Sequence, residues 1–271
     1  MVVVSVSTLY SRLSSILPNQ FPSDERITYV ISCQGVREYD VNHYELLISK
    51  IFGCDCRFVL LDGYGLSRNR NSALRLASKI NNCSAIYITD DDVFLNVDGI
   101  CKLAKKLNEN SLGFCSGKVS TGMGFFKSYR NNSHDITLLK ASKLSSVELM
   151  VSPSLVIDDC VLFDERFGLG SVYPSGEELI FCSDAITLGN RGMYFPIVLC
   201  EHPPISSGQD FYSSEQKIIA KGAMFKRAFG EKGLFLMLFF ALKKYTKYRG
   251  NVSFWFFLSK MFKGYRAGFK G

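Results

Sequence analysis

Three runs of apolar, largely β-branched residues stop abruptly on polar clusters, and this pattern constrains the fold more than any other. ITYVISC (27–33) ends before Gln34, CRFVLLD (56–62) ends on Asp62, and AIYIT (85–89) ends on Asp90, Asp91 and Asp92. Runs of this length and composition read as strands buried on both faces. Between them lie helical patterns. DVNHYELLISKIF (40–52) repeats apolar residues at Val41, Tyr44, Leu47, Ile48 and Ile51, and SRNRNSALRLASKI (67–80) does so at Ala73, Leu76, Ala77 and Ile80. Strands alternating with helices predict a mostly parallel sheet flanked by helices, with ligands at the carboxyl ends of the strands. ITYVISC is taken as the first strand, and Ser67 as a cap of the helix that follows Gly63 and Gly65. The predicted ligand edge collects Gln34, Asp62, Ser67 to Asn71 and the three aspartates.

Composition adds boundaries. The chain has 271 residues, 47% of them hydrophobic, enough for one large core. Its nine cysteines are an odd number without zinc-site spacing, which reads as reduced, mostly buried thiols of a cytoplasmic protein. MVVVSVSTLYSRLSSILPNQ is apolar at its start, but it lacks a basic leading region and carries Arg12, which argues against a secretory signal. Charge is uneven: residues 221–271 hold 12 Lys and Arg against the single acid Glu231, a net of +11, whereas the other 220 residues carry −4. A main domain over 1–220 and a basic tail over 221–271, with different partners, are therefore expected.

Three adjacent carboxylates repel one another unless water, a partner or a cation neutralises them. They form either a solvated acidic turn, with Asp92 or Asp98 capping the next helix, or a site where Asp90 and Asp92 share a hard cation such as Mg²⁺ or Mn²⁺. GLSRNRN (65–71) is either an exposed helix start or an anion site, where backbone amides and the helix dipole add to the arginines. GEELIFCSD (176–184) places Glu177 and Glu178 in a helical first turn, and Asp184 one turn past Phe181 is open to either a surface or a substrate-orienting role. His202 follows a strand expected over GMYFPIVLCE. GFCSGKVSTGMGFFKSYRNNSHD (113–135) reads as a loop by composition, on the substrate side by position.

With these segments in hand, the chain resembles the family 2 glycosyltransferases of the GT-A fold, especially bacterial ones that build capsule and O-antigen. GLSRNRNSAL (65–74), YITDDDVFLN (87–96), FDERFGLGSVYPSGEELIF (163–181) and YFPIVLCEHP (194–203) carry the resemblance, which spans 27–207 in order and spacing. It implies that Asp62 contacts the base of a nucleotide diphosphate sugar and that Arg70 and Asn71 belong to the donor pocket. Asp90 and Asp92 match the outer positions of a DxD motif on the ribose, diphosphate and metal side, and His202 matches a His-Pro near the metal. Glu177-Glu178 stands where the family shows Glu-Asp, so one of the two is the implied catalytic base. The implied activity is inverting, metal-dependent transfer to a hydroxyl of a lipid-linked surface glycan. A sugar nucleotidyltransferase is the first rival, and it should show a glycine-rich phosphate loop after the first strand; a non-catalytic membrane adaptor retaining the fold is the second.

The tail contains GLFLMLFFAL (233–242) and NVSFWFFLSKMF (251–262), each short of the ~20 residues that span a bilayer. Two readings follow. Aromatic groups enter the headgroup boundary while cations meet anionic lipid on the inner face of the membrane, or the aromatics pack on the catalytic domain. No nucleic-acid recognition motif accompanies the basic residues.

Overall fold

The computed structural model of the chain describes residues 1–17, 19–36, 41–53, 55–203 and 210–267, with the backbone alone at 41 and 42. Asp40, Cys54 and 204–207, which figure in the sequence reading, lie outside the described residues. The strands are β1 (Val2–Leu9), β2 (Ile27–Gln34), β3 (Arg57–Leu61), β4 (Ala85–Asp90), β5 (Phe94–Leu95), β6 (Phe114–Ser120), β7 (His134–Asp135), β8 (Leu149–Val151) and β9 (Gly192–Glu201). The helices are α1 (Val41–Phe52), α2 (Leu66–Ala77), α3 (Val97–Glu109), α4 (Leu138–Ala141), α5 (Pro153–Ile157), α6 (Glu177–Thr187), α7 (Glu215–Phe229), α8 (Gly233–Lys243), α9 (Tyr245–Tyr248) and α10 (Phe254–Tyr265).

One sheet orders the strands β3-β2-β1-β4-β8-β6-β9-β5, with β7 on β9. The β3-β2-β1-β4 half is parallel, β8 runs antiparallel between β4 and β6, and β6 and β9 are again parallel. The expected mixed α/β architecture is present, with one correction: the first strand is β1, not ITYVISC. VVVSVSTL alternates its side chains between two covered faces, and hydrophobic cores lie on both. Val3, Val30, Ile86 and Ile88 pack on the α2 and α6 side, and Val4, Ile31 and Tyr87 on the α1 and α3 side.

Register brings the strand ends together. Leu9 lies opposite Gln34 and Ser7 opposite Asp90, so β1, β2 and β4 finish at one edge.

A second correction concerns 113–135. FCSGKVS is strand, and the segment after Ser120 is irregular up to β7. Its glycines answer a packing need: a β-carbon on Gly117 would overlap the Leu199 side chain across the β6–β9 pair. A third concerns α3, whose cap is neither Asp92 nor Asp98. Asn96 accepts from the Gly99 amide at 3.1 Å, and Asp98 pairs with Arg26 at 2.8 Å.

The tail is helical and folds back. The expected boundary at 220/221 falls inside α7, and Met237, Ala241, Tyr248, Phe257, Leu258, Met261 and Tyr265 join the same core cluster as β4 and α6. Two glycines permit the closest approach of α7 and α10: a β-carbon on Gly222 would overlap the Met261 carbonyl oxygen, and one on Gly264 the Ile219 carbonyl oxygen. Phe257 stacks on Tyr248 at 3.9 Å between ring centroids, so it belongs to the core and not to a lipid-facing surface. Among the described residues no helix is long and apolar enough to cross a membrane.

Candidate active site

The centre of the site is a buried cation. Arg70 sits on the second turn of α2 with only 2% of its side chain exposed. Its guanidinium donates to both carboxylate oxygens of Asp90 at 3.2 and 3.3 Å and to Ser146 Oγ at 2.6 Å. It also lies 3.5 Å from Glu177 Oε1 and 3.5 Å from Glu178 Oε1, and 5.5 Å from the Phe163 ring centroid. Three acids from two distant segments are thus gathered on one guanidinium, whose planar fork suits several carboxylates at once. α6 begins at Glu177 because Gly176 takes φ +108, which a side chain would strain and where a β-carbon would meet Met224.

The two glutamates differ. Glu177 is buried, and its Oε2 has no hydrogen-bond partner. Glu178 keeps 20% of its side chain exposed, and its carboxyl is pushed up to about 7 by burial and by repulsion from Glu177, against the pull of Arg70. Half-buried Lys221 on α7 also senses both acids: burial holds its ammonium down, opposed by Glu177 and Glu178. Asp184 instead forms a two-pronged ion pair with Arg227 at 2.7 and 2.7 Å, and Arg227 also reaches Asp164 at 3.0 Å. Asp184 therefore ties α6 to α7.

The aspartates after β4 have separate partners. Asp91 is buried and accepts from Thr8 Oγ1 at 2.5 Å, and Arg12 lies 2.8 Å from its other oxygen. Burial pushes this carboxyl up while Thr8 and Arg12 hold it down. Asp91 consequently anchors the β1 end. Asp92 meets Arg12 through Oδ2 at 3.0 Å, and its Oδ1 lies 3.4 Å from His202 Nε2.

A divalent cation fits this last pair. Asp92 Oδ1 is buried without a hydrogen-bond partner. The His202 Nδ1–H donates to the Pro203 carbonyl at 2.6 Å, which orients the ring with Nε2 on the Asp92 side. Asp90, expected as a ligand too, gives both oxygens to Arg70. Among the described residues no group of three or more His, Cys, Asp or Glu could hold a metal by itself. Mg²⁺ commonly relies on one or two protein ligands, with substrate phosphates and water completing its shell.

Other expected residues are brought to the edge but are already engaged. Gln34 Oε1 accepts from the Gly65 amide at 2.9 Å, and the Leu66 amide donates to the Leu169 carbonyl at 2.9 Å. The start of α2 is thus partly filled by protein acceptors. Ser67 is not the cap: Gly65 occupies that position, and Ser67 Oγ donates to the Phe167 carbonyl at 2.6 Å. Asn71 exchanges hydrogen bonds with the Phe163 backbone in both directions at 2.8 Å and donates to Glu165 at 3.0 Å. Ser67 and Asn71 therefore hold the FDERFGLG segment over α2. Asp62 is 87% exposed and pairs with Arg68 at 3.2 Å.

Beside this edge opens a cavity of about 340 Å³ lined by Leu9, Tyr10, Gln34, Tyr44 and Tyr64. The residues that sequence reasoning missed are here and in the anchors: the three tyrosines, Thr8, Arg12, Ser146 and Lys221. Arg12 alone carried a signal, a charge inside an apolar stretch.

The architecture is the GT-A type. No protein-family model matches the chain, and no curated protein matches it significantly. Solved structures do. The chain is similar to residues 1–349 of Staphylococcus aureus TarS in complex with UDP-GlcNAc, at a TM-score of 0.60 and 15% identity, covering 93% of this chain and 74% of that one. The UDP complex gives a TM-score of 0.59 at 16% identity, with the same coverage. Against full TarS the TM-score is 0.54 at 15% identity, covering 88% of this chain and 43% of that one. At such identity the likeness concerns the fold, a mixed α/β sheet flanked by helices with helices C-terminal to it.

Proposed function

We propose that this chain is an inverting glycosyltransferase that moves a sugar from a nucleotide diphosphate donor to a hydroxyl of a surface glycan, at the cytoplasmic face of the membrane. The observation that carries the reading is the Arg70 cluster, which holds the first aspartate after β4 and the two acids opening α6 around one buried guanidinium. The donor side and a candidate base are thereby fixed to each other at the carboxyl edge of a GT-A-type sheet. UDP-GlcNAc, named in the TarS complex, is the first donor to test.

Each group then has a task. The tyrosine-lined cavity takes the base between aromatic faces, with Gln34 at its wall. Asp90, held by Arg70, faces the ribose and diphosphate. Asp92 and His202 would hold Mg²⁺ or Mn²⁺, which when bound acts as a Lewis acid on the leaving diphosphate. Glu178, more accessible than Glu177 and titrating near neutrality, accepts the proton of the acceptor hydroxyl as its oxygen attacks the anomeric carbon. The carbon–oxygen bond to the diphosphate breaks on the opposite face, so one displacement inverts the configuration. Glu177 stays in place beneath, and its repulsion raises the proton affinity of Glu178.

The nucleotidyltransferase alternative lacks its phosphate loop, since β1 runs into YSRLSS without a glycine and β2 is followed by Gly35 alone in GVREYD. The test is a panel of nucleotide diphosphate sugars scored by thermal stabilisation and by hydrolysis, with Mg²⁺, Mn²⁺ or chelator. Stabilisation by one donor, and its slow hydrolysis by wild type but not by Glu178→Gln, is the expected result. Failure of every donor to bind would overturn the proposal.

A further inference from the structure

The C-terminal helices carry a surface that the catalytic reading leaves unexplained. α8 is two-faced: Gly233, Met237 and Ala241 recur at intervals of four and are buried, while Phe235, Phe239 and Leu242 form a stripe to the outside. Phe235 is 74% exposed and Phe239 60%. The stripe continues through α9 into α10. Tyr245 meets Phe254 edge to face at 6.1 Å, Phe254 meets Trp255 at 5.4 Å, and the indole is 76% exposed. Exposed aromatic groups of this number are uncommon on a surface that faces only water.

The cations are arranged with them. Lys243 Nζ lies 5.6 Å from the Phe239 ring centroid and Lys260 Nζ 5.0 Å from that of Phe256. Lys226, Arg227, Lys260 and Lys263 have acidic partners in Glu231, Asp184, Asp164 and Glu215. Among the described residues no ion pair engages Lys243, Lys244, Lys247 or Arg249. Burial and the nearness of Lys247 and Lys243 push the Lys244 ammonium down. Like charges crowded beside exposed aromatics are costly in isolation and are relieved by an anionic partner.

We infer that the outer face of α8, α9 and the start of α10 docks on an anionic lipid bilayer, with Phe235, Phe239, Leu242 and Trp255 entering the headgroup boundary and Lys243, Lys244, Lys247 and Arg249 meeting lipid phosphates. The charge decides for lipid over a second copy of this chain, because two such faces would bring like charges together. The buried stripe decides the depth: Met237, Ala241 and Phe257 stay in the protein core, so the helices lie along the membrane and do not cross it.

The test uses the full chain and vesicles of phosphatidylcholine alone or mixed with phosphatidylglycerol. The single tryptophan is Trp255, so its emission reports the docking face directly. Its emission should move to shorter wavelength with anionic vesicles, and the protein should sediment with them. Lys243→Gln with Lys247→Gln should weaken partitioning roughly 25-fold, since each cation near such a surface contributes about 1 kcal/mol, or about fivefold. Phe235→Ser with Phe239→Ser should abolish it at unchanged thermal midpoint, because neither ring is buried. Unchanged Trp255 emission with both vesicle types would overturn the inference. So would a dimer in sedimentation velocity without lipid that Phe239→Ser dissolves. Donor binding is measured in parallel and does not depend on the outcome.

Discussion

Replacing Glu178 by Gln should separate what the folded protein gains from what the reaction needs. The Glu178 carboxyl ordinarily titrates at 4.5 and is held at about 7 by burial and by Glu177. A carboxyl raised in the folded state favours folding while it is protonated. Its contribution is fully present below the unfolded value and is lost as pH rises through about 7. Each unit is worth about 1.4 kcal/mol, so ionised Glu178 costs on the order of 3 kcal/mol at pH 8. Gln cannot ionise and escapes that cost, while Arg70 keeps Asp90 and Glu177 as counter-charges. Glu178→Gln should therefore lie close to wild type near pH 5 and exceed it increasingly up to pH 8. For a domain of this size that is roughly 5–10 °C in melting temperature. Turnover should fall by about 10²-fold or more at the same time, and wild-type activity should rise through pH 7 as the base is freed. Melting curves between pH 5 and 8.5, paired with donor turnover, make the measurement. A variant no more stable than wild type at pH 8, or a difference that does not change with pH, would refute the reasoning; the same pattern in Glu177→Gln instead would move the base by one residue.

Arg70→Met should destabilise the protein by about 3–5 kcal/mol in urea unfolding, because Asp90, Glu177 and Glu178 are left facing one another without their cation. Asp92→Ala should preserve the melting temperature yet abolish stabilisation by donor plus Mn²⁺, and His202→Ala should weaken Mn²⁺ dependence with donor binding in chelator unchanged. Gly222→Ala places a methyl group against the Met261 carbonyl and should cost about 2 kcal/mol or more, lowering the melting temperature by roughly 5 °C. Ending the chain at residue 220 cuts α7 and uncovers the core that Ala223, Met224 and Phe225 help to fill, so aggregation on expression is the expected outcome.

What the sequence disclosed and what it hid divide along the range of the interactions. Strands 27–34, 57–61 and 85–90 and helix α6 are local patterns, and apolar runs bounded by glycine or acids announce them. VVVSVSTL has the same character, yet its position invited comparison with a leader sequence, and only pairing with β2 and β4 makes it a central strand. FCSGKVS looked like a loop because of its small residues, of which Gly117 lets β9 approach. The candidate site was legible as chemistry more than as geometry. Arg70, Asp90 and the two glutamates meet as their types suggest, whereas Ser67 and Asn71 turn out to clamp the 163–167 segment from more than 90 residues away. The Thr8–Asp91 and Arg12–Asp92 contacts join positions 83 and 80 apart, and no local pattern could reveal them.

The central place of β1 also has a consequence during synthesis. Its neighbours are β2, some twenty residues later in the chain, and β4, which ends only at Asp90. At about 5–20 residues per second, a β-branched segment with no charge waits roughly 5–15 s before its second edge can be paired. For that interval the nascent chain presents VVVSVSTL as an open strand that another nascent chain could pair with. Slower translation between 34 and 90, or a holdase that covers the first ten residues, should therefore change the yield of soluble protein while leaving the stability of the finished molecule untouched.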